Sequence, residues 1–224
     1  MTAFWRAVLA IAWKDLLLEL RTKEIVSSLL VFALLVAVVF NFAIDPLPEL
    51  VALALPGMLW IAFVFAGILG LNRTYVREKD RESLTGLMLS PVGRDAIYFG
   101  KLLGILAFML VVEVLMYPVF AVLFGLPLFM PRLLAVAFPA TLGFAAVGTI
   151  FSAMAVHTRS REVMLPLLFF PIALPIIVAA VESSAGVLEG AGWAPMSRWL
   201  QLMGVFDILF LVVSSFAFEY VLEE

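Results

Sequence analysis

The chain has no cysteine, and His157 is the single histidine among its 224 residues. Disulfides, thiolate metal sites and thiol chemistry are therefore excluded, and a multi-histidine metal site cannot be assembled within one subunit. Charge is also scarce. Only 14% of residues are charged against 65% hydrophobic, and the mean hydropathy is +1.15. A soluble domain usually carries about 25% charged residues, so lipid must be the solvent for much of this chain. The net charge of −3 gives no reason to expect a nucleic-acid partner. No Ser/His/Asp set, zinc motif or haem-attachment cysteine pair is present. Gly93 with Gly100-Lys101-Leu102 approaches a phosphate loop. However, six residues separate the glycines instead of four, and Leu102 stands where a magnesium-holding Ser or Thr would be. The sequence thus offers no catalytic residues and no ATP site of its own. The first 24 residues alternate Arg6, Lys14, Arg21 and Lys23 with Asp15, Glu19 and Glu24, unlike a cleavable signal, whose apolar stretch is uninterrupted.

What is present is a series of long apolar runs. A spanning helix needs about 20 mostly apolar residues, and six such runs are predicted: 25–44, 50–71, 102–124, 133–156, 164–181 and 201–222. Pro139 and Gly143 interrupt the fourth. Pro166, Pro171 and Pro175 interrupt the fifth, which predicts a kinked or broken helix. The whole chain, 1–224, reads as one transmembrane domain, because its longest hydrophilic stretch, 72–101, is too small to fold alone. No internal inverted repeat is evident, which weakens a secondary-transporter reading.

Lys and Arg collect on cytoplasmic loops. The N-terminal segment, the loop 72–101 and the loop 157–163 carry twelve, from Arg6 to Arg161, and the opposite side carries only Arg132 and Arg198. Both termini are therefore expected in the cytoplasm, a parity that six spans satisfy.

Three features invite function. The segment 1–24 has the pattern of an interfacial helix. Arg6, Lys14 and Arg21 share a sector of about 80° at helical pitch, opposite Trp5, Val8, Ala12 and Leu16. Asp15 and Glu19 fall on the apolar side, so the helix is either a membrane-surface anchor or an element facing a partner protein. Within 72–101, Tyr75, Arg77, Glu78, Asp80, Arg81, Glu82, Leu84, Leu87 and Met88 precede Pro91 and form either a short docking helix between spans two and three or a solvated charged turn. Glu113 lies mid-span with no Lys or Arg expected at its depth, so it stays protonated or faces another helix. It is either a structural hydrogen-bonding group or, with the kinked Pro171–Pro175 region, part of a transport path. Asp207 and Glu219 are placed nearer the ends of the last span.

This arrangement, carried by Trp13-Lys14-Asp15-Leu16, Leu55-Pro56-Gly57-Met58-Leu59-Trp60, the run from Arg77 to Pro91, Gly100-Lys101 and the Leu165-Pro166 to Leu174-Pro175-Ile176 pattern, resembles an ABC-2-type exporter permease. Within that class it resembles the haem exporter protein B (CcmB) family of cytochrome c maturation. The order of these pieces over about 180 residues carries the likeness more than any one of them. The resemblance implies an all-α integral membrane protein of a bacterial inner membrane or an organelle. It implies a permease, paired as a homodimer, working with a separate cytoplasmic ATPase that holds the ATP and with further small membrane subunits. The segment 75–89 would then be the coupling element. Haem, if bound, is expected on a partner, because the lone His157 is cytoplasmic and Met130 and Met196 are the outer-loop thioethers. The same architecture also suits an ABC-2 permease for lipid, polysaccharide or drug, or a non-transporting assembly scaffold.

Overall fold

The computed structural model describes residues 2–22, 24–43, 48–80, 92–155 and 161–221. These form seven helices: α1 (Thr2–Thr22), α2 (Glu24–Ala43), α3 (Pro48–Asp80), α4 (Arg94–Phe124), α5 (Pro131–Ala155), α6 (Arg161–Leu188) and α7 (Trp193–Val221). No strand occurs among the described residues. In a bilayer every backbone polar group must be satisfied internally, and a helix does this within one segment. Among the described residues, five segments are long and apolar enough to cross a membrane: Leu50–Leu71 of α3, all of α4 and α5, Leu165–Leu188 of α6, and all of α7. In α2 the apolar stretch is the shorter Leu30–Ala43.

α5 is the most enclosed helix. It packs on α6 and α7 and also touches α3 and α4. Its composition explains how. Its buried positions are rich in small residues, among them Ala137, Ala140, Gly143, Ala145, Ala146, Gly148 and Ala153, which let neighbouring backbones and side chains approach closely where no water drives them together. Leu71 fills the notch at Gly148, and Ile176 and Phe206 crowd Gly143. α7 is the least enclosed. Val205, Ile208, Leu209, Val212, Val213 and Phe216 form an apolar face that is exposed in the isolated chain.

Of the kinked and broken alternatives, a break is excluded. α5 runs continuously through Pro139, and α6 through Pro166, Pro171 and Pro175. Two ends are set by glycine. Gly125 closes α4 at φ 69°, donating its N–H to the carbonyl of Ala121. Gly190 turns the chain from α6 into α7 at φ 74°. Both conformations are ones that a side chain disfavours.

Span boundaries also move. The third apolar run starts at residue 102 in the sequence, but α4 begins at Arg94 and includes Lys101. The last run starts at 201, but α7 begins at Trp193. Most of the segment expected to be interfacial is helix α1, Thr2–Thr22, which leaves Trp5, Leu9 and Trp13 exposed and buries Val8 and Ile11 against the bundle.

Candidate functional site

The predicted coupling element divides into two parts. Tyr75, Arg77, Glu78 and Asp80 lie in the last two turns of α3, which continues past its apolar stretch as far as Asp80. Arg81, Glu82, Leu84, Leu87 and Met88 lie outside the described residues, as does His157. The hydrophilic loop 72–101 is therefore shorter than its sequence suggests, since 72–80 extend α3 and 94–101 open α4.

Glu113 is inside the bundle, with 5% of its surface exposed. The hydroxyl of Thr141 on α5 donates to its Oε1 at 2.5 Å. Phe63, Gly67, Met109 and Val112 wall it in, leaving no room for a water molecule. The helix that Glu113 faces is thus α5. Pro171 and Pro175 are elsewhere. Both fall on the exposed face of α6, while Phe169 on the other face is fully buried edge-on to Phe144 with centroids 4.6 Å apart. Glu113 and the two prolines are not brought together.

Two charged positions behave differently from their sequence reading. Asp207 is not near a span end. It sits midway along α7, is 6% exposed and lies against Gly143 of α5, and its Oδ1 has no hydrogen-bond partner among the described residues. The other is Lys101. Read as a cytoplasmic loop cation, it is fully buried, and its ammonium meets Asp15 Oδ2 at 2.8 Å. Asp15 also receives Lys14 at 3.2 Å on its other oxygen. Asp15 thus faces α4 of its own chain. A local hydropathy window cannot find a pairing across 86 residues. The spacing Gly100-x-x-x-Gly104, a mark of close helix contact, is the signal that could have found it.

Further polar groups tie the helices. The Trp60 indole donates to Ser184 at 2.9 Å, linking α3 and α6. The fully buried Tyr98 donates to the Ala146 carbonyl at 3.3 Å, linking α4 and α5. Arg94 reaches the carbonyl of Glu219 at 3.1 Å, joining the start of α4 to the end of α7. Of the two outer-loop thioethers, Met196 is buried against Gly186. Met130 lines an apolar pocket of about 250 Å³ with Tyr117, Phe129 and Leu133. The described residues contain no cluster of His, Asp or Glu able to hold a metal ion.

Comparison with known proteins adds the following. The sequence model of the CcmB protein family matches residues 6–224. The chain is 28% identical over 210 residues to the heme exporter protein B of Pseudomonas aeruginosa, covering 93% of this chain and 92% of that protein. It is 29% identical over 184 residues to the heme exporter protein B of Rhodobacter capsulatus, covering 81% and 84%. It is 26% identical over 211 residues to that of Haemophilus influenzae, covering 93% and 94%.

Proposed function

The chain belongs to the CcmB protein family, and from that membership we propose that it is the membrane permease subunit of a haem exporter serving c-type cytochrome maturation. The observation that carries this reading is the family match over 6–224 on a chain whose helices are long and apolar enough to cross a membrane. In this reading α2 supplies a sixth span, both termini are cytoplasmic, and the protein resides in a bacterial inner membrane. The basic asymmetry, twelve Lys and Arg against two, supports that orientation. α1 lies at the membrane surface, supported by its exposed Trp5–Leu9–Trp13 stripe.

ATP is bound and hydrolysed by a separate cytoplasmic ATPase, since this chain has no phosphate loop of the required spacing. The ATPase docks on the segment 75–89, from the helical end of α3 onward. Arg77 and Arg81 fall four residues apart, as do Glu78 and Glu82, giving neighbouring basic and acidic ridges that suit a complementary partner. The permease acts as a homodimer with further small membrane subunits. Any stable haem site belongs to one of those partners, which the burial of Met196 supports.

Deletion of the gene tests the reading. Loss of all c-type cytochromes is expected, and normal cytochrome levels would refute it. Glu78→Lys with Glu82→Lys should weaken ATPase co-purification and abolish activity while the protein still inserts. Full association of that variant would move the docking site elsewhere.

A further inference from the structure

Two of the short segments that carry the family likeness, Trp13-Lys14-Asp15-Leu16 and Gly100-Lys101, are far apart in sequence and meet in space. The contact between their helices, α1 and α4, is the most extensive between any two helices among the described residues. It has two components. The first is steric. A side-chain carbon added at Gly100 would sit 2.7 Å from Ile11 Cβ and 3.2 Å from the Val8 carbonyl oxygen. One added at Gly104 would sit 3.3 Å from Asp15 Cβ and 3.7 Å from Ala12 Cα. The two glycines, one turn apart, form a groove in α4 into which the backbone of α1 settles. The second is electrostatic. Lys101, between those glycines and 0% exposed, closes on the largely enclosed Asp15 at 2.8 Å. A cation and an anion held at that distance away from water resist separation, because parting them leaves an uncompensated charge in a medium of low polarity.

α4 is also the helix that follows the proposed docking segment, and its first residue, Arg94, lies about 10 Å from Lys101 along the axis at 1.5 Å per residue. A push on that end reaches the seam within two turns.

We propose that the Gly100/Gly104 groove and the Asp15–Lys101 pair make α1 and α4 one rigid unit that carries movement of the bound ATPase into the surface helix α1, and that Asp15 and Lys101 are positioning residues for coupling. This rests on the reading of the chain as an ATPase-driven permease. In it α1 is a lever fixed to a span, so a hydrolysis cycle that shifts α4 drags the Trp5–Leu9–Trp13 face through the membrane surface.

The test uses the assembled complex in membranes. Lys101→Met should leave the ATPase bound and turning over ATP while the yield of c-type cytochromes falls about tenfold, within the usual range of a coupling energy. The exchange Asp15→Lys with Lys101→Asp should recover part of that yield. A Lys101→Met complex with full cytochrome yield would overturn the proposal. A second measurement does not depend on that variant folding. The chain has no cysteine, so Ala12→Cys with Gly104→Cys introduces a single possible bridge within each chain. The distance from Ala12 Cα to a Cβ at position 104 is 3.7 Å, within reach of a disulfide. Oxidative cross-linking should proceed to the same extent without nucleotide, with ATP and during turnover. A marked drop during turnover would mean that α1 leaves α4, and the rigid-unit proposal would be wrong. If the unaltered chain brings down no ATPase at all, the permease reading itself fails, before any variant is made.

Discussion

At the seam of α1 and α4, Asp15 meets a fully buried lysine at 2.8 Å, whereas midway along α7 Asp207 keeps one carboxyl oxygen without a hydrogen-bond partner among the described residues. Both acids are largely shielded, and both lie against a glycine of a neighbouring helix, Gly104 for Asp15 and Gly143 for Asp207. What differs is the cation. Where one is supplied, the acid becomes a fastener between two helices. Where none is supplied, the acid costs desolvation without an evident return. Glu113 stands between the two, held by a hydroxyl from Thr141 rather than by a cation. Three enclosed acids thus have three different kinds of partner, and substitution can rank what each contributes.

The largest effect is expected at the seam. Removing one member of a buried ion pair typically costs about 3–5 kcal/mol. Lys101→Met and Asp15→Asn should each lower the unfolding temperature of the detergent-solubilised protein markedly. The double variant should lose less than the sum, because either substitution alone already removes the Asp15–Lys101 contact. Additive losses in this cycle would mean that the pair is not coupled, and the contrast with Asp207 would collapse.

Next in size is the middle of α5. A larger residue at Gly143 would collide with Ile176 Cδ1, Asp207 Oδ1 and the Phe206 ring. Overpacking of this kind costs about 1–3 kcal/mol. Gly143→Leu is therefore expected to destabilise the protein more than Gly57→Leu, since nothing lies within 4 Å of a Cβ at position 57. Equal losses in thermal unfolding would show that Gly143 matters for its backbone rather than for the room it leaves.

The sequence reveals part of this arrangement, and the reason is the range of its signals. The apolar runs mark out the spans because hydropathy is a local property. The run 50–71 coincides with the apolar part of α3. Glu113 is legible as an interior group because a lone acid in the middle of a long apolar run has no way to reach water. Lys101 is not legible in this way. A charge at the edge of an apolar run looks like the run's end, so a third span that starts at 102 misses it by one residue. Its pairing with Asp15 is set by tertiary contact. The reading of Asp207 as near a span end fails for a related reason. Arg198 breaks the apolar window, but α7 begins before it, at Trp193, with the Arg198 guanidinium 4.8 Å from the Trp199 ring centre. That start puts Asp207 midway along its helix. The prolines of α6 are a different case. Each signals a local defect, yet α6 remains continuous and Pro171 and Pro175 face outward. An outward face has space for a proline ring, although the carbonyl one turn before each proline loses its N–H donor.

Thr141→Val sharpens the middle case. It keeps the shape of the side chain and removes the donor to Glu113. Hydrogen bonds between membrane helices average about 0.6 kcal/mol and reach about 1.7. A loss within that span is expected, smaller than the loss at Lys101. A loss as large as that of Lys101→Met would place Glu113 among the fasteners.

The smallest change in stability is expected at Asp207, and its sign is what matters. Asp207→Asn keeps the size of the side chain and its fit against Gly143 and Ile176. It removes a carboxylate, whose charged form costs far more to bury without a partner than an amide does. Among the described residues no donor is lost at Oδ1, because none was there. The unfolding free energy of the isolated chain should therefore change less than at Lys101, Gly143 or Thr141, or rise slightly. Natural chains seldom retain a buried group that costs stability without gaining something elsewhere. The same variant in cells therefore separates two roles. If c-type cytochromes fall while the isolated chain is as stable as before, Asp207 serves the working complex, through a partner or through the transport cycle. If cytochromes are unchanged, the acid is a tolerated burden. If the isolated chain is instead destabilised by several kcal/mol, as at Lys101, then Asp207 holds α7 as Asp15 holds α1, and the difference between the two regions disappears.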